Sequence, residues 1–91
     1  PIAALGSAIA DFANKNGDKD SASVTAIEKY MNEKQGWKLV GVKNRTWQMP
    51  DGRTIRMDEG AKKYARTLAN NASPEEQKAA WDEWMATAKG G

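Results

Sequence analysis

The chain of 91 residues contains no histidine and no cysteine. Without an imidazole or a thiol there is no base of the usual neutral-pH kind, no Ser-His or Cys-His nucleophile pair, and no nitrogen- or sulfur-ligated zinc site. Disulfide stapling is excluded too, so the fold has to rest on packing, and a disulfide-free domain fits a cytoplasmic location. No apolar run approaches the ~18 residues of a membrane span, and no basic segment followed by an apolar stretch marks a signal peptide. The N-terminal segment lacks the Lys/Arg face of an interfacial helix, which argues against membrane binding. A glycine-rich phosphate loop and a nucleophile motif are also missing. These absences together argue against an enzyme and imply neither a cofactor nor a bound metal.

What is present fits one domain: 40% of the residues are hydrophobic and 29% charged, with no internal repeat and no low-complexity tract. Pro1 is what removal of an initiator methionine leaves, so the chain reads as a complete gene product. Ile2, Leu5, Ile9 and Phe12 recur at helical spacing and predict an amphipathic helix to about Asn14, with Gly17 as a left-handed cap beyond it. Asp20, Ser21 and Ser23 are alternative N-caps for a second helix, whose buried stripe is Val24, Ile27 and Met31 and which Gly36 ends.

From Trp37 the period changes. Lys38-Leu39-Val40-Gly41-Val42 is short and β-branched, Thr46-Trp47-Gln48-Met49 alternates in polarity, and Pro50-Asp51-Gly52 is a turn before the partner strand Arg53–Met57. Pairing Met49 with Arg53 sets Trp47 opposite Ile55 on an inner face and turns Gln48 and Thr54 outward, which predicts a hairpin or a three-stranded meander. Asp58 caps a third helix carrying Ala61, Tyr64, Ala65 and Leu68, which Asn70 and Asn71 stop. Ser73-Pro74-Glu75-Glu76 combines a capping Ser, a first-turn Pro and a capping-box Glu, and Trp81, Trp84, Met85 and Ala88 form the stripe of a last helix.

Charge is unevenly placed. From Lys34 to Arg56 six basic residues face Asp51 alone, a local charge of +5; the remainder, with eight basic and eleven acidic residues, carries −3 and brings the total to +2. A cationic hairpin on a weakly acidic body attracts a polyanion by releasing its counterions. The same residues also serve as a solvated, pairing-resistant edge. Trp81 and Trp84 read as core anchors, and Trp47, with Ile55 opposite, as packed rather than stacked on a base. Asn14, Asn16, Asp18 and Asp20 alternate as in a calcium loop, but setting Gly17 at the sixth position puts Phe12 first and Ser23 twelfth, where oxygen-rich ligands are needed. The acidic pairs Asp58-Glu59 and Glu75-Glu76 complement helix dipoles without any catalytic role.

Over roughly Ser21 to Leu68 the order of elements resembles winged helix-turn-helix domains, and among them the MarR-like transcription regulators. Ser21–Met31 is similar to a recognition helix, Gly36-Trp37-Lys38-Leu39-Val40 to the step into the wing, and Asp51-Gly52-Arg53 to a wing tip. Only twenty residues precede Ser21, so that family's N-terminal dimerisation helix has no counterpart. The resemblance implies a DNA-binding set that includes Ser21 and Lys38, in which Thr25 and Asn32 approach base edges, Lys29 meets a phosphate, and Lys43, Arg45 and Arg53 hold backbone or minor groove, with Glu28 and Glu33 opposing. The expected protein is thus a small, mostly helical α+β domain of order helix–helix–β-hairpin–helix–helix, winged-helix-like, which binds double-stranded DNA as a regulator or accessory factor. A chain this small covers about one half-site, so a homodimer through the terminal helices is expected. The alternative is a phage or mobile-element protein that binds a host protein or belongs to a virion, using the hairpin and the tryptophans. Salt separates the two: about five phosphate contacts give a log–log slope of about −4 to −5, and a Trp-centred interface much less.

Overall fold

The computed structural model describes residues 2–17 and 23–90, and of residues 2 and 3 only the backbone. The candidate caps Asp20 and Ser21 lie outside the described residues. The elements follow the expected order: α1 (Ile2–Lys15), α2 (Val24–Gln35), β1 (Lys38–Gly41), β2 (Thr46–Gln48), β3 (Thr54–Arg56), α3 (Glu59–Ala69) and α4 (Pro74–Met85). The strands form an antiparallel meander in the order β1-β2-β3.

Local chemistry sets most boundaries. The Ser23 hydroxyl accepts from the Ala26 amide at the start of α2, the Asp58 carboxylate from Gly60 at the start of α3, and the Ser73 hydroxyl from Glu76 beside Pro74 at the start of α4. Each cap satisfies an amide that the first helical turn leaves without a partner. Gly36 ends α2 in the left-handed region, φ 75°, a conformation that costs a side-chain-bearing residue roughly 1 kcal/mol. There the Trp37 amide bonds the Met31 carbonyl at 3.0 Å. In the β2–β3 connection the Gly52 amide bonds the Met49 carbonyl at 2.9 Å and the Met49 amide bonds Arg53 at 2.8 Å, with Gly52 at φ 93°. That is a tight turn followed by a glycine bulge, and it fixes the register. Trp47 accordingly faces Ile55, and Gln48 faces Thr54.

Trp47 and Ile55 point inward and are buried, joining Ile9, Ile27, Met31, Tyr64 and Trp84 in one cluster fed by every helix. Each large apolar side chain fully buried there contributes roughly 1.5–3 kcal/mol. Trp84 is the centre: its ring lies 6.1 Å from Trp37, 6.1 Å from Tyr64 and 5.6 Å from Trp81, and its indole N–H donates to the Arg56 carbonyl at 3.0 Å, tying α4 to β3. Phe12 stays at the margin, edge-on to Tyr30 at 5.7 Å. Gly6 lets α1 approach α4 so closely that a Cβ there would stand 2.7 Å from Gln77 Oε1 and from Leu68 Cδ2.

The strands are shorter than expected, with Val42, Met49, Arg53 and Met57 outside them, and the end of α4 also differs. Ala88 keeps the helical spacing of Trp81, Trp84 and Met85, yet α4 ends at Met85. The chain turns back along β3, where Thr54 and Lys89 exchange two backbone hydrogen bonds of 2.8 Å each. Pairing an otherwise open edge outweighs one more half-turn of helix.

Candidate nucleic-acid interface

On α2, Thr25, Lys29 and Asn32 lie on the exposed side opposite buried Ile27 and Met31, as the periodicity predicts. Asn32 is not free to read a base with its amide group, because its Nδ2 donates to the Trp37 carbonyl at 2.8 Å and secures the end of the helix. Ser21 lies outside the described residues.

Arg45 and Glu28 correct the charge reading. The Glu28 carboxylate accepts from Arg45 Nε at 3.2 Å, from Arg45 Nη2, and from the Trp47 indole N–H at 2.8 Å. The hydrogen bond to Glu28 raises the guanidinium pKa further, against an opposing effect of burial, so Arg45 stays charged. Arg45, expected to hold DNA, and Glu28, expected to repel it, neutralise each other and fasten the β1–β2 turn to α2. Arg45 also occupies the left-handed region, φ 50°, and its carbonyl accepts from the Met57 amide at 3.1 Å.

Arg53 needs a second correction. Its backbone N–H and its Nε both donate to Asp51, at 3.0 and 2.8 Å. These two donors, the backbone one first, hold the Asp51 carboxyl below the usual carboxylate range. Arg53 is therefore a turn-closing residue rather than an unopposed wing-tip charge. Nor does it sit with Lys43 and Arg45: those belong to the turn at the other end of β2, about 10 Å away along three residues of strand. Beside Arg53 opens an apolar cleft of about 350 Å³ whose only charged lining residues are Asp51 and Arg53. It offers no free acid or base.

With these pairs set aside, some of the cations without an acidic partner, Lys38, Arg56 and Lys89, share the outer face of the sheet, while Lys15, Lys29, Lys34 and Arg66 lie on helices. Residues paired directly across strands share a face. Lys38 pairs with Gln48, Gln48 with Thr54, and Thr54 with Lys89, giving one outward row; Thr46 paired with Arg56 gives part of a second. The strands carry no acidic residue. The outer face thus presents Lys38, Arg56 and Lys89 around the neutral hydrogen-bonding side chains Thr46, Gln48 and Thr54. Lys43 lies exposed in the adjoining β1–β2 turn. The acid closest in sequence, Asp58, borders a depression beside Arg56 and Lys89, and one of its oxygens is engaged in capping α3.

Sequence reasoning placed Lys38 and Lys43 here but left out Gln48, Arg56 and Lys89. The alternation that turns Thr54 outward extends two residues to Arg56, so that signal was available. Lys89 had none, because its place depends on a chain reversal between elements distant in sequence. Among the described residues no group of three carboxylates or other ligands is placed to hold a metal ion, and no helix is long and apolar enough to cross a membrane. No family model, no curated protein and no solved structure matches this chain.

Proposed function

We propose that the protein is a non-enzymatic, cytoplasmic regulator or accessory factor that binds duplex DNA with the outer face of its sheet and the β1–β2 turn. In this reading it keeps the helix-then-wing order of winged-helix domains, with the wing as the main reader. One observation carries it: an acid-free sheet face with cations at both ends of a row and neutral hydrogen-bonding side chains between them. From Lys38 to Lys89 the row crosses three strand spacings, about 14 Å. The B-DNA major groove is about 12 Å wide and admits a two-stranded ribbon. Gln48 and Thr54 then face base edges while Lys38 and Lys89 reach phosphates on either side. The outer rows contain no aromatic residue, so stacking on unpaired bases has no platform, which favours a duplex over a single strand.

The test is anisotropy of a labelled mixed-sequence duplex over a range of salt. Lys38, Lys43, Arg56 and Lys89 give an expected log–log slope of about −3 to −4, less than the five cations of the hairpin alone suggest, because Arg45 and Arg53 are paired. Lys38→Ala plus Arg56→Ala flattens the slope by about 2, and Arg45→Ala leaves it unchanged. Absence of binding at low salt overturns the proposal and favours a protein partner instead.

A further inference from the structure

The two edges of the sheet are treated differently. The β3 edge is closed by the chain's own C-terminal segment, through the paired bonds between Thr54 and Lys89. The β1 edge has no such cover: among the described residues no segment pairs along its outer side. The exposed large hydrophobic residues are concentrated at this edge, with Leu39 45%, Val40 54% and Val42 78% exposed. Lys38 and Lys43 bracket them, and neither has an acidic partner. Glu28, which reaches the neighbouring turn, is engaged by Arg45 and Trp47.

We infer that the β1 edge is a docking site for an extended acidic and apolar segment of a partner protein, which adds to the sheet as a further strand. Main-chain groups of the open edge bind such a segment, and side chains select it. On one face of the partner strand apolar residues cover Leu39, on the other β-branched side chains cover Val40, and acids at its two ends meet Lys38 and Lys43. A second copy of this chain is a poor occupant, since it brings the lysines of both copies to one seam with no acid on β1 to offset them. DNA on the outer face leaves Leu39 uncovered. The bulge between Leu39 and Gly41 and the flanking lysines are devices that keep an edge from pairing with any strand that arrives. They leave an acidic strand as the one that gains. The inference shares Lys38 and Lys43 with the DNA reading but does not rest on it, because it also needs the open backbone edge and Leu39, which that reading leaves idle.

The test titrates the full ¹⁵N-labelled chain with a synthetic peptide that has an alternating Val-Thr centre and two glutamates at each end. The expected result is shift changes and slowed amide exchange confined to residues 38–43. Leu39→Thr keeps strand propensity and every cation and lies on the face away from the proposed duplex contact, so it weakens the peptide roughly tenfold while duplex binding is unchanged. Lys38→Glu plus Lys43→Glu transfers the preference to the same peptide with lysines at its ends. Three results overturn the inference: no change at β1 with millimolar peptide, equal binding of the lysine-flanked peptide by the native chain, or protection of β1 that grows with protein concentration alone, which assigns the edge to a second copy.

Discussion

Glu28 is a residue of α2 whose role depends on what folds against it. In sequence it is a carboxylate on a helix proposed to face phosphates; in the structure it takes donors from Arg45 and Trp47 and fastens α2 to the sheet. Nothing local marks this, because its partners lie 17 and 19 residues away. Glu28→Gln removes the charge and one acceptor, and is expected to cost about 1–2 kcal/mol in denaturant unfolding, with Arg45→Ala costing less since Arg45 is half exposed. Tyr64 makes a different prediction. Its ring is fully buried, its hydroxyl has no hydrogen-bond partner among the described residues, and burial pushes its pKa up to about 12. The unfolded chain loses the same proton near 10. The stabilisation is complete below that value and disappears as pH rises towards 12, because the unfolded state is then favoured by ionisation. Tyr64→Phe is expected to abolish this alkaline limb in pH-dependent unfolding and to raise stability at neutral pH by about 1 kcal/mol.

At the scale of elements, the capping residues, the turn and the apolar spacings were legible because each acts on its own neighbours. Asp58, Ser73, Gly36 and the Met49–Arg53 turn behave as their chemistry predicts, and Trp47 faces Ile55 as the turn requires. Where an element depends on a distant one the reading stops short. Ala88 carried a helical pattern past the true end of α4, and the β3 edge decided otherwise. The Ala and Gly content of the N-terminal segment suits close packing against another helix, but nothing local singles out Gly6, on which the α1–α4 packing depends. Gly6→Ala gains helix propensity but places a methyl group against Gln77, whose Nε2 is tied to the Ala72 carbonyl at 3.1 Å. The clash outweighs the gain, for a net loss of about 1 kcal/mol and a Tm lower by about 4–8 °C in a thermal melt. The apolar stripes of the terminal helices face the shared core, where Ile9 and Trp84 are buried. A homodimer through those helices would therefore have to use their polar sides.

For the whole molecule, the net charge of +2 conceals the arrangement that matters. The excess of cations between Lys34 and Arg56 was plain in sequence, but only pairing decides which of them act. Arg45 and Arg53 are turned to structural work, Lys38 and Arg56 are left on the sheet, and Lys89 joins them from the far end of the chain. On the proposed reading the centre of the interface lies on the outer sheet face and not on α2. The most direct measurement is amide and side-chain NMR mapping of the full labelled chain on a short duplex at low salt. The account predicts that the largest shifts fall on Lys38, Thr46, Gln48, Thr54, Arg56 and Lys89. Shifts confined to Thr25, Lys29 and the rest of α2, or none at all, would contradict it.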